Sequence, residues 1–293
     1  MKKKSLKLMV CTLVMTMIGG VLVGCGGSNT GENTETASLT LSGSSALLPL
    51  MESSIEGFVE KNSGYQINAQ AGGSGTGLTQ VLDGSVDIGN SDIFANEKLD
   101  EGQAKELVDH QVVAQGFGIA VNKSLGVNDL TKQQIKDIFS GKITNWKEVG
   151  GPDKEIFVVH RPASSGTRAT FVKTILDGDK SLENDSIGAT QDSNGAVLTA
   201  MKQNDGAISY LALSYMNSDE AKEKLELVSI DGAKADKENI ISGNYKFWSW
   251  GHMYTKGEAS EPAQKFIDYI MSNDNKENVE ALGFISGSDM KVK

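Results

Sequence analysis

The chain has 293 residues, 28 Lys plus Arg against 38 Asp plus Glu, 4 prolines, 3 histidines and 2 cysteines. Without the four lysines at its start, 24 basic residues face 38 acidic ones, a formal charge of −14. That balance lacks the basic footprint nucleic acid needs, and an acidic surface also repels small anions at long range, so any anion site must work by local hydrogen bonds and dipoles.

Residues 1–24 read as a signal peptide. Lys2, Lys3, Lys4 and Lys7 form a positive start, and Leu8 to Val23 is an apolar run too short for a confident membrane span. The run closes in Leu22-Val23-Gly24-Cys25, which matches a bacterial lipobox and marks Cys25 for a lipid anchor (a diacylglycerol with palmitate-type acylation). Residues 25–37 then form a polar tether. Cys11 leaves with the leader and Cys25 carries lipid, so no thiol remains for a disulfide or a thiolate metal site. His110, His160 and His252 lie far apart with no metal-binding spacing, and neither a metal nor a cofactor is expected.

Ser38–Ser42 reads as a strand, followed by the turn Gly43-Ser44-Ser45 and a helix with Leu47, Leu50, Met51, Ile55 and Phe58 on one face. The pattern repeats with strand Tyr65–Ala69, turn Gly72-Gly73-Ser74-Gly75-Thr76-Gly77 and a helix carrying Leu78, Val81 and Leu82. A third strand, Val86–Gly89, places Asn90, Ser91 and Asp92 beyond its carboxyl end. Such alternation predicts an α/β fold with a mostly parallel sheet, whose ligands sit at strand carboxyl ends.

Gln111–Val121 is a long apolar run that reads as a strand crossing between two lobes. Thr131 to Gln134 has a capping-box pattern, and Gly141 ends that helix. Trp146 reads as packing. Strand Glu155–Val159 leads into His160-Arg161-Pro162-Ala163-Ser164-Ser165-Gly166-Thr167 and a helix over Thr170–Leu176. A helix over Gly195–Met201 and strands Gly206–Tyr210 and Leu225–Ile230 follow. Asn244–Tyr254 reads as the strand returning to the first lobe, and Ser260 caps a later helix with Pro262 in its first turn. The predicted organisation is lobe 1 from residues 38–115 plus 246–293, and lobe 2 from 116–245.

Three turns share one chemistry. Glycines let backbone N–H groups approach a ligand, hydroxyls add rotatable donors, and Arg161 adds a planar charged fork suited to a tetrahedral oxyanion. Helix starts supply free N–H groups and a positive dipole. Asp92 narrows the choice of anion. An ionised carboxylate only accepts hydrogen bonds, so the ligand beside it must carry a proton. Phosphate keeps one near neutral pH and sulfate does not, a mismatch costing on the order of 100-fold in affinity.

These motifs, GSSALLPL at 43–50, GGSGTG at 72–77, VDIGNSD at 86–92, IFSGKITNWKEVGGPD at 138–153 and RPASSGTRATF at 161–171, resemble the phosphate-binding lipoproteins of bacterial ABC phosphate importers, the PstS family of type II periplasmic-type binding proteins. The resemblance spans essentially all of the mature chain. It implies a two-lobed periplasmic-binding-protein fold with two crossing strands as hinge, closing on one phosphate in the interlobe cleft. Carried over motif by motif, phosphate contacts fall on Ser45, Ala46, Leu47, Ser74, Asp92, Arg161, Ser165, Gly166 and Thr167. It also implies partnership with ABC permease subunits, a monomeric state and a lipid-anchored place on the outer face of the cell membrane.

This chain departs from the family at Pro162 and Ala163, where many members carry an acid that holds the arginine, and at Leu47-Leu48, where Gram-negative members carry Thr-Phe. Arg161 therefore needs another orienting group. Other readings are the same fold binding a different oxyanion, or serving as an adhesin or sensor. A phosphatase or serine hydrolase using Ser165 and His160 lacks a nucleophile elbow and a metal site. Replacing Cys25 tests the anchor: Cys25→Ala should move the protein from the membrane fraction to the medium, and retention in the membrane would contradict the lipobox reading.

Overall fold

The computed structural model describes residues 36–292. The leader 1–24, Cys25 and nearly all of the tether lie outside the described residues. Eleven strands run in chain order: β1 (Ala37–Gly43), β2 (Tyr65–Ala71), β3 (Ile88–Ser91), β4 (Leu107–Asn122), β5 (Asp129–Leu130), β6 (Phe157–His160), β7 (Ala189–Thr190), β8 (Ala207–Ala212), β9 (Leu225–Ile230), β10 (Trp248–Lys256) and β11 (Ile285–Ser286). The longer helices are α1 (Leu48–Lys61), α2 (Ser74–Leu82), α3 (Lys132–Phe139), α4 (Gly166–Thr174), α5 (Asn194–Gln203), α6 (Glu261–Met271) and α7 (Asn273–Ala281).

The strands lie in the order β2-β1-β3-β10-β4-β8-β6-β7. The fold is mixed α/β. Both ends are parallel, as the strand–helix alternation predicts: β1 pairs with β2 and β3, and β6 pairs with β7 and β8. The middle is antiparallel, because β4 and β10 run against their neighbours. One strand serves both ends. The segment Leu107–Gly116 of β4 pairs with β10, and Phe117–Asn122 pairs with β8 and β9.

The apolar residues segregate in the same way. Leu41, Leu50, Met51, Phe58, Ile67, Phe266 and Ile270 form one core between the first strands and α1, α6 and α7. Phe117, Phe139, Trp146, Phe171, Tyr210 and Phe247 form another around β4, β6 and β8. Trp146 is fully buried, and its indole N–H donates to Gly206 O at 2.9 Å, so it is packing as its sequence setting predicts.

Local signals hold well. Thr131 and Gln134 form the capping box of α3, and Ser260 caps α6 with Pro262 in the first turn. Several boundaries move. The return strand expected from Asn244 begins at Trp248, because Tyr245 and Phe247 turn into the core and bond to Phe117 instead of a ladder. The third strand runs to Ser91, held by Leu41–Gly43 on one side and His252–Tyr254 on the other, which brings Asp92 directly onto its end. Helix α4 starts at Gly166, four residues before the apolar run, because the Ser165 hydroxyl accepts from Arg168 N at 3.2 Å.

Candidate oxyanion site

The three turns meet. Gly43 ends β1 at φ 136°, and its carbonyl accepts from Gly72 N and Gly73 N at 2.9 and 2.8 Å, which locks the first turn to the second. A Cβ on Gly43 would stand 2.0 Å from Asn90 O, so only glycine fits where β1 passes β3. The third turn joins through Gly75 N, which donates to Ser164 O at 2.9 Å. Gly166 is packed as closely as Gly43: a Cβ there would lie 2.0 Å from Ser74 Oγ and 2.7 Å from Asp92 Oδ2. The first residue of α4 must therefore be glycine for α4 to seat against Ser74 and Asp92.

Asp92 is buried, with 3% of its surface exposed. Its Oδ1 accepts from the Ser44 hydroxyl and from Gln115 Nε2, the latter at 2.8 Å. Its backbone N–H donates to Ser74 Oγ at 2.9 Å, which leaves the Ser74 hydrogen to be donated elsewhere. Burial raises the Asp92 carboxyl above the ordinary carboxylate range. The bonds from Ser44 and Gln115, and the nearby charges of Arg161 and His252, oppose that shift.

Arg161 is also buried, at 1% exposure. Its Nη2 donates to Ser45 Oγ at 3.2 Å and to Asp192 O at 3.1 Å. Its Nε and Nη1 are buried with no protein partner. A guanidinium always carries its charge, so these two buried donors are available to pair with the oxygens of an anion. The group missing at Pro162 and Ala163 is replaced by backbone. Asp192 O takes Nη2, and Arg168 Nη1 grips Arg161 O at 2.5 Å. Arg168 is itself held by Glu183 at 3.0 Å and Asp185 at 2.9 Å.

Of the sequence-predicted residues, Ser45, Ser74, Asp92, Arg161, Ser165, Gly166 and Thr167 gather here, buried. The Ala46 and Leu47 amides lie in the same turn but donate to Ser44 Oγ at 3.0 and 3.2 Å. Ser165 Oγ serves as the cap of α4. Sequence reasoning placed Ser44 in the first turn without giving it a partner, and it missed Gln115, Asn194 and Tyr215. Gln115 did carry a signal, being the polar residue in the middle of an apolar strand. Asn194 carried none.

His160 faces another network. Its Nδ1 lies 2.9 Å from Glu183 Oε1, which also accepts from Tyr210 OH at 2.7 Å. Ser165 and His160 thus have separate commitments, which removes the nucleophile-and-base arrangement. His160, Glu183 and Asp185 bring three ligand atoms within 4.8 Å of one another, but the Arg168 guanidinium bridges the two carboxylates. A cation there would have to displace an arginine.

The chain also resembles known proteins along most of its length. A family model described as a PBP superfamily domain matches residues 28–274. The phosphate-binding protein PstS of Bacillus subtilis is 48% identical over 301 residues, covering 100% of this chain and 97% of the relative. The chain belongs to the PstS family. Two solved structures share this PstS fold. One, from Clostridium perfringens and with bound phosphate, is named as a phosphate ABC transporter substrate-binding protein, with TM-score 0.77, 31% identity and coverage of 85% and 99% of the two chains. The other is an ABC-type phosphate transport receptor from Vibrio cholerae, with TM-score 0.65, 25% identity and coverage of 84% and 99%. No helix among the described residues is long and apolar enough to cross a membrane.

The raised Asp92 carboxyl has a consequence for stability. Folded Asp92 holds its proton more tightly than it does in the unfolded chain, so its favourable contribution is complete below the unfolded value of ~3.9 and is lost as pH rises through the folded value. Asp92→Asn keeps an acceptor for Ser44 and Gln115 but does not titrate. In phosphate-free buffer, the urea midpoint of wild type should fall relative to that of Asp92→Asn as pH rises above ~4. A difference independent of pH would contradict the burial argument.

Proposed function

We propose that this protein captures inorganic phosphate outside the cytoplasm and delivers it to an ABC import permease. The observation that carries the reading is the pairing of Arg161, with two buried unpartnered nitrogens, and Asp92, a buried acceptor. Donors from three turns suit the charge of an oxyanion. Asp92 requires that the oxyanion also donate one hydrogen bond, which phosphate does at neutral pH and sulfate does not. The Ser45, Ser74 and Thr167 hydroxyls and the first N–H groups of α4 complete the ligand set, with Ala46, Leu47 and Ser165 shaping the turns that hold it. The PstS relatives are named as phosphate-binding proteins, which supports the same ligand. This is a binding protein and not an enzyme, as its membership of the PstS family gives.

On this reading residues 38–115 plus 246–293 form one lobe and 116–245 the other. The segregated cores and the division of β4 at Gly116 and Phe117 support that division. Bonds between the lobes, such as Gly75 N to Ser164 O, belong to the closed form. Closure around the ligand then makes the loaded protein distinguishable to the permease. A lipid on Cys25 keeps the monomer at the outer face of the cell membrane, where captured phosphate is passed on.

Titration calorimetry tests the reading. The protein should bind phosphate with one site per chain, and Arg161→Ala should weaken that binding more than about tenfold while the far-UV spectrum stays unchanged. Native affinity in Arg161→Ala would displace the site.

A further inference from the structure

Ser45 Oγ is a point where three N–H groups converge. Arg161 Nη2 donates to it at 3.2 Å, Asn194 N at 3.1 Å and Asn194 Nδ2 at 3.0 Å. A hydroxyl has two lone pairs and one hydrogen. With its acceptor side crowded by donors, that hydrogen is the polar function Ser45 has left to offer.

Asn194 is fully buried at the first position of α5, and each end of its amide is committed. Its Oδ1 accepts from Ala212 N at 2.9 Å, where β8 ends. Its Nδ2 also reaches Thr167 Oγ1 at 3.3 Å. The bond to β8 fixes which way the amide faces, so the NH2 group points at Ser45 and Thr167. Tyr215 OH donates to Ser45 O at 2.8 Å and holds the backbone of the same serine.

We propose that Asn194 is a positioning residue for the bound oxyanion: on closure it turns the Ser45 hydroxyl into an obligate donor and ties the first turn to the third. The inference rests on the two-lobe phosphate reading above. Ser45 lies on the lobe of β1, and Asn194, Thr167 and Ala212 lie on the other. The bonds from Asn194 to Ser45 thus exist only when the cleft is closed, and their effect falls on the escape of ligand more than on its capture. Ser45, with donors against its lone pairs, has no acceptor to offer a ligand hydrogen. Asp92 is then the place where the ligand's proton is received.

Asn194→Asp is the informative variant. It keeps an oxygen for Ala212 N and puts an acceptor where Nδ2 faced two hydroxyl oxygens. Asn194→Ala is the second variant, in case the aspartate impairs folding. Phosphate affinity is read by calorimetry, dissociation by stopped-flow fluorescence of Trp248 and Trp250, which share a pocket with Asp92, and folding by the urea midpoint in phosphate-free buffer. Both variants should lose about tenfold or more in affinity, mostly as faster dissociation, and Asn194→Asp should keep the ligand-free midpoint. In a Ser45→Ala background Asn194→Ala, which adds no charge, should lose most of its effect, because it acts chiefly through that hydroxyl. Unchanged affinity, or an equal loss with and without Ser45, overturns the proposal. A wild type that binds no phosphate would instead bring down the phosphate reading, and this inference with it.

Discussion

A carboxylate removed from water is the constraint around which the site is built. Asp92 sits at the end of β3 with almost no exposed surface, and burial of a charge is costly unless hydrogen bonds and opposite charge offset it. Ser44 and Gln115 bond one of its oxygens, Arg161 lies near enough to act through its field, and Ser74 fixes its backbone. The offset is incomplete, and the carboxyl remains raised above its ordinary range. Arg161 has the complementary deficit, with burial depressing its own ionisation and two nitrogens left unpartnered. On the proposed function, an anion that donates one hydrogen bond and accepts several relieves both deficits at once, which gives selectivity and affinity one physical origin.

Close backbone approach is what allows these groups to meet. Gly43 and Gly166 stand where any side chain would collide with Asn90, Ser74 or Asp92. The starts of α2 and α4 consequently lie against each other at Ser74 and Gly166, beside Asp92. The protein is acidic overall, so its net charge does not draw an anion in, and binding has to come from local hydrogen bonds and dipoles.

Much of this was legible in the sequence, and the reason is locality. A strand, a Gly-Ser turn and a helix are written in adjacent residues, as are the Thr131 capping box and the Ser260 cap. The three turns and Asp92 could therefore be located, and their convergence followed from the rule that ligands gather at strand carboxyl ends. What was not legible depends on tertiary contacts. Nothing near Asn194 in sequence announces that it will meet Ser45. Pro162 and Ala163 showed that Arg161 lacked its usual neighbour, but not that a carbonyl of Asp192 would replace it. Tyr245 and Phe247 continue a β-like pattern, yet the core draws them out of the sheet. The antiparallel middle arises because β4 serves strands at both ends, which no window of sequence records.

The central claim is that Asp92 reads a proton on the ligand. Calorimetric affinities for phosphate and sulfate, measured on wild type and Asp92→Asn under identical conditions, test it most directly. Wild type should prefer phosphate by a factor on the order of 100 or more. In Asp92→Asn that factor should shrink, since an amide can donate to an anion with no proton. A phosphate-to-sulfate ratio unchanged by the substitution would contradict the account.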